Sequence, residues 1–141
     1  MPPMSPAQIL RFLDYGTRTG KLATIRADGR PHVVPVWFVL DGYDLVFTTH
    51  EHSVKGRSII EDGRVAVCVD DQTPPYAFVM VEGEAEVSTD EDELLRWATR
   101  IGRRYMGEYR AEEYGKRNGT PGELLVRVRP THVVGVERVA D

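Results

Sequence analysis

The 141-residue chain is poor in the features that mark several protein classes outright. Cysteine occurs once, so no disulfide can close within the chain and no cysteine pair is available to a metal. Cys68 lies inside the apolar run Val65-Ala66-Val67-Cys68-Val69, where it reads as a small buried hydrophobe, and a reducing, cytoplasmic setting is expected. Positive charge is not in excess. Lys and Arg number 18 against 22 Asp and Glu, and a net charge of -4 argues against a nucleic-acid binder that relies on counterion release. The segment Met1-Pro2-Pro3-Met4-Ser5-Pro6 has no basic flank and no apolar stretch fit for a signal peptide or a membrane span.

Motifs are sparse as well. No Gly-rich turn has the dinucleotide-binding or Walker spacing. The four His are scattered except for His50-x-His52, which has no carboxylate or third His beside it suited to a metal, and no metal is expected. Nothing around Ser53 resembles a nucleophile elbow, so a hydrolase triad is not expected either.

What is present is the ordinary composition of a globular protein, 41% hydrophobic and 28% charged, in a length that suits one domain over residues 1–141. Ser5-Pro6 is a helix start, and Ile9, Leu10, Phe12 and Leu13 give that helix one apolar face ending near Gly16. Lys21 to Ala27 reads as a strand, Asp28-Gly29 as a hairpin turn, and Pro31 to Leu40 as a return strand apolar on both faces. Such a strand should be covered on both sides, and Pro35, lacking an N–H, should mark a bulge or a gap in the ladder.

The turn Asp41-Gly42 leads into a strand from Tyr43 to Thr49, then a polar loop and a helix opening at Ser53. Arg64 to Asp70 and Tyr76 to Ser88 are the next strands. In the second, Ala77, Val79, Val81, Ala85 and Val87 share one face, while Tyr76, Phe78 and Met80 give way to the solvated stripe Glu82, Glu84, Glu86 on the other. A helix over about Asp90 to Met106 buries Leu94, Leu95, Trp97, Ala98, Ile101 and Tyr105. Residues 107–119 read as a short helix or ordered loop. Glu123 to Arg129 and Thr131 to Val139 close the chain as two strands joined at Pro130. Hairpins dominate, which indicates a mostly β fold, an antiparallel β-barrel with helices at its ends.

The stretch from Thr48 to Ser58 carries the chemical signal. Ser53 is a good N-cap, yet Lys55 and Arg57 occupy the first turns, where the helix dipole favours negative charge. Gly56 between them weakens the helix by about 1 kcal/mol relative to Ala. Free N–H groups, two cations and a residue without a side chain suit a phosphate-bearing anion docked at the helix N-terminus; on this stretch alone, a solvated basic turn is the alternative. Beside a strand apolar on both faces, the cradle fits a flat, phosphate-tailed cofactor that brings its own chemistry.

The residues Lys21 to His32, Val34-Pro35-Val36-Trp37-Phe38, Leu45-Val46-Phe47-Thr48-Thr49 and Ser53-Val54-Lys55-Gly56-Arg57, in that order, resemble the pyridoxamine 5′-phosphate oxidase-like family. The resemblance covers about Pro6 to Val139 and is nearest to the branch that uses the deazaflavin coenzyme F420. It implies an FMN-binding-type split β-barrel that forms a homodimer with the cofactor at the subunit interface. By resemblance, Lys55 and Arg57, with Ser53 and Gly56, hold the cofactor phosphate. Pro35, Val36, Trp37 and Phe38 run alongside the ring, Thr48 and Thr49 line the groove, and Tyr76, Ala77 and Phe78 cover it. The implied activity is hydride transfer from reduced coenzyme F420 to a conjugated, electron-poor molecule such as an enone, quinone or tetrapyrrole. An FMN enzyme of the same fold and a non-catalytic deazaflavin carrier are the alternatives, because both cofactors carry a phosphate and a flat tricycle. Arg103, Arg104, Arg110, Lys116 and Arg117 are available for the deazaflavin's glutamate tail. His50, Tyr76 or an Arg could supply the proton.

Overall fold

The structure is a computed structural model that describes residues 2–141. In chain order its elements are α1 (Pro6–Asp14), β1 (Gly20–Ile25), β2 (Pro31–Val36), β3 (Val39–Asp41), β4 (Asp44–His50), α2 (Val54–Glu61), β5 (Arg64–Asp71), β6 (Ala77–Ser88), α3 (Glu91–Met106), α4 (Ala111–Asn118) and β7 (Glu123–Val136). A 3-10 turn, Glu108–Arg110, joins α3 to α4. The strands form one seven-stranded sheet in the order β2-β1-β5-β6-β7-β4-β3, every pairing antiparallel.

That order contains the closure of the barrel. β2 and β3 are opposite edges of the sheet, yet only Trp37 and Phe38 separate them in the chain. Three residue steps span at most about 11 Å, so the sheet must curl until its two edges meet. The edges share no ladder, which makes the barrel split. The expected single strand over 31–40 is therefore two short ones with a break at Trp37 and Phe38.

Coverage on both faces also needs correction. Within the chain, the outward residues of β2 are open, with Val33 67% exposed. Pro35 pairs with Lys21 in an uninterrupted register and is accommodated by edge position rather than by a gap in the ladder. The two closing strands are in fact one, β7. Its register to β6 shifts between Glu82↔His132 and Gly83↔Pro130, leaving Thr131 as the extra residue of a bulge. A Cβ at Gly83 would lie 2.5 Å from the Arg129 carbonyl oxygen, so the bend requires glycine there.

Leu22, Val36, Phe38, Phe47, Val67, Val79, Val81, Val126 and Val128 fill the barrel, with Leu13 of α1 and Ile59 of α2 packed against them. A second cluster lies outside it, where Leu94 and Trp97 of α3 cover Val46 and Leu125 of β4 and β7. Two expected burials fail. Leu95 is 43% exposed, because it falls beside the Leu94–Trp97–Ala98–Ile101 stripe rather than in it. Cys68 points outward from β5, between Lys21 and Met80 on neighbouring strands, and is half-buried. Val87 is also exposed, near the far end of β6. No helix among the described residues is long and apolar enough to cross a membrane.

Candidate functional site

One cleft, with a volume of about 340 Å³, gathers residues from six parts of the chain. Pro35, Val36 and Trp37 come from the end of β2, Thr48, Thr49 and His50 from β4, Ser53 and Lys55 from the α2 start, Ile101 from α3, Asn118 from α4 and Glu123 from β7. It lies where the sheet edge breaks, and where the mouth of α2 meets the end of β4.

Ser53 organises that mouth. Its hydroxyl accepts from the Gly56 N–H at 3.0 Å and donates to the His50 carbonyl at 2.8 Å. Thr49 Oγ1 is 2.8 Å from the same oxygen, and because Ser53 has already placed its one proton, Thr49 is the donor. Ser53 is thus committed to shaping the turn and is not a free ligand group. Gly56 serves the same turn: a Cβ there would sit 2.4 Å from the His50 carbonyl oxygen, so its role is close backbone packing rather than room for a visitor. Arg57 is exposed and lies outside the cleft lining. Lys55 is the cation that lines the cleft.

Two ionisable groups face Lys55. His50 accepts the His52 N–H at Nδ1 with a distance of 3.1 Å, so in its neutral form the ring carries its proton at Nε2. Glu123 stands opposite His50 in the β4–β7 register. Burial pushes its carboxyl above the ordinary range, while the charges of His50 and Lys55 pull it down.

The ring side of the cleft is held from behind. Trp37 stacks on Tyr105 with centroids 5.1 Å apart and planes 3° from parallel, and meets Tyr114 of α4 at 5.7 Å. Phe38 turns its side chain into the barrel core, 1% exposed, and does not reach the cleft. Its backbone, at the break in the sheet, has no strand partner. The Phe38 N–H donates instead to the Tyr105 hydroxyl at 3.2 Å, and that hydroxyl donates to the Arg18 carbonyl at 2.8 Å. The Phe38 carbonyl accepts from Arg104 Nη1 at 2.7 Å. Arg104 also donates to the carbonyls of Leu13 at 2.7 Å and Gly16 at 2.9 Å, so it is unavailable to a ligand tail. Arg103 pairs with Glu108 and Arg110 with Glu113, so Lys116 and Arg117 are the two of the five expected cations that, among the described residues, neither pair with a carboxylate nor donate to a carbonyl.

Of the expected site, Pro35, Val36, Trp37, Thr48, Thr49, Ser53 and Lys55 converge on this cleft. Tyr76, Ala77 and Phe78 do not. They line a separate hollow with Asp70, Asp71, Gln72 and Val139, at the start of β6. Ile101, Asn118 and Glu123 line the cleft without having been expected. Glu123 enters through a pairing 73 positions from His50 (123 − 50), which no local pattern could signal.

The family model described as pyridoxamine 5′-phosphate oxidase matches residues 5–137. The chain belongs to that family. Among solved structures, a conserved hypothetical protein, Rv2991, from Mycobacterium tuberculosis is 27% identical with a TM-score of 0.85, over 96% of this chain and 86% of that one. A protein named F420 reductase is 29% identical with a TM-score of 0.72, over 87% and 94% of the two chains. An FAD-binding protein from Mesorhizobium loti, at 22% identity and a TM-score of 0.68, shares the fold over 95% of each chain. Family membership accounts for the split barrel. The donor set of the cleft, an ammonium group and a helix mouth beside an exposed strand edge, fits a phosphate-bearing ring cofactor.

Proposed function

We propose that this protein is a coenzyme F420-dependent oxidoreductase that acts on a conjugated, electron-poor small molecule such as an enone, quinone or tetrapyrrole. The observation that carries the reading is the convergence of Lys55, the α2 mouth and the Pro35–Trp37 edge on one cleft. The similarity to a protein named F420 reductase over nearly the whole chain supports the deazaflavin over FMN. When bound, the reduced deazaflavin supplies the hydride, so the protein need only align donor and acceptor and keep water out.

Each wall then has a task. Lys55 holds the phosphate at the mouth of α2, where the Ser53 cap already takes the Gly56 N–H. The β2 end and the stacked Trp37–Tyr105 pair present a flat, rigid surface to the ring. His50, with its proton at Nε2, is the group in the cleft suited to deliver a proton. The outward face of the sheet, where Val33, Ala23, Ala66 and Cys68 are only partly covered, is the surface through which a homodimer would form. In such a dimer the partner's Tyr76 to Phe78 could reach a cleft that its own chain does not bring them to. Arg57, outside the lining of its own cleft, keeps its proposed phosphate role only in that dimer.

A paired fluorescence titration against coenzyme F420 and FMN tests the assignment. Tight binding of the deazaflavin is expected. Preference for FMN moves the chain to the flavin side of the family, and binding of neither overturns the cofactor reading. Lys55→Ala should weaken F420 binding by about 2 kcal/mol through loss of a charge-assisted phosphate contact, and an unchanged dissociation constant removes Lys55 from the site. Tight binding with no reduction of any enone or quinone acceptor indicates a carrier instead.

A further inference from the structure

Glu123 is the one group in the cleft whose charge opposes an anion. It opens β7 directly across from His50 and shares the cleft with Lys55. Lys55 forms no ion pair among the described residues, yet its charge acts on the Glu123 carboxyl from across the cleft. A phosphate held by Lys55 must therefore sit near a second, half-buried negative charge.

We propose that Glu123 sets which phosphate the cradle accepts, admitting a singly charged phosphodiester and turning away a doubly charged phosphomonoester. The inference rests on the cofactor reading above and deepens it. The phosphate of the deazaflavin is a diester with one ionisable oxygen, whereas that of FMN is a terminal monoester whose second proton leaves near pH 6. Coulomb repulsion is linear in charge, so the free-energy cost of Glu123 to the dianion is twice its cost to the monoanion. In affinity, the effect on the monoester is the square of the effect on the diester.

Lys55 attracts a dianion twice as strongly as a monoanion by the same rule, so the share owed to Glu123 is read by replacing Glu123 alone. His50 of β4 and Lys55 of α2 attract both phosphates, Asn118 of α4 and Ile101 of α3 carry no charge, and His52 and Glu51 pair with one another at 3.5 Å. At pH 8 the phosphomonoester carries both of its charges.

Dissociation constants of F420 and FMN, read by fluorescence at pH 8 for the wild type, Glu123→Gln and Glu123→Asp, test this directly. Glu123→Gln should tighten F420 by about fivefold and FMN by about 25-fold, the squared relation expected from charge alone. Glu123→Asp keeps the charge and should keep the wild-type preference, which a role in side-chain packing alone would not predict. If F420 binds the wild type but Glu123→Gln shifts both constants equally, or neither, this proposal falls and the cofactor assignment stands. If the wild type binds FMN as well as F420, or binds neither, both fall together.

Discussion

The segment from Pro31 to Asp41 contains two regions that the chain treats in opposite ways. At the break, both backbone polar groups of Phe38 are satisfied by α3, and the side chain is sealed in the core. Five residues upstream, Val33 stands in solvent with no covering element of its own chain. The break costs two ladder positions, and a buried backbone group without a partner costs about 1–3 kcal/mol, so the fold supplies Tyr105 and Arg104 to replace them. The outward face of β2 carries no such debt, because apolar side chains have no hydrogen bond to lose and the free backbone edge of β2 is open to water. One region is closed by contacts within the chain; the other is left open at its outward face.

The largest expected effect is at the closed end. Arg104→Ala leaves the carbonyls of Leu13, Gly16 and Phe38 without their donor and should destabilise the protein by about 3 kcal/mol in urea unfolding. Arg104→Lys should recover only part of this, since an ammonium group cannot keep all three donors in the fork geometry. Tyr105→Phe keeps the stack on Trp37 but removes the hydroxyl between Phe38 and Arg18, for a loss of about 1–2 kcal/mol. A value near zero in both experiments would mean that water replaces the clamp.

Val33→Lys probes the open region. Stability of the single chain should stay within about 0.5 kcal/mol, because an exposed side chain is exchanged for another. If the proposed dimer forms through this face, sedimentation should nevertheless show a shift from dimer to monomer; a dimer that Val33→Lys leaves intact would move the interface elsewhere, and a monomeric wild type would overturn the dimer. The smallest effect concerns acidity. Burial raises the Glu123 carboxyl in the folded state, so the folded chain binds its proton more tightly than the unfolded one. Wild-type stability relative to Glu123→Gln should then fall as pH rises from the ordinary glutamate range through the raised one. Parallel melting curves for the two proteins across that range would place Glu123 in solvent.

Legibility followed the range of the interaction. The Ser5 and Ser53 caps, the Asp28-Gly29 turn and the alternation of β6 rest on neighbours a few residues apart, and they are legible directly. Lys55 could be read too, because cations in a first helical turn are locally anomalous. Gly56 was read as space for a ligand, whereas its function is to let the His50 carbonyl approach, a contact set by the turn geometry. In sequence Arg104 reads as one of five cations available to a glutamate tail, and nothing nearby marks it as the donor to three carbonyls contributed by α1, the following loop and the sheet break.

Taken alone, the amino-acid order determined the element types, the hairpin-rich β class and the polar turn that opens at Ser53, since propensity, capping and period are properties of short windows. The tertiary structure decided where the edges meet, which splits residues 31–41 into two strands at opposite ends of one sheet. It also brought Glu123 to Lys55 and took Tyr76 away from it. Those placements depend on strand order and barrel closure, which are set by burying many distant apolar side chains together and leave no trace in any single stretch of sequence.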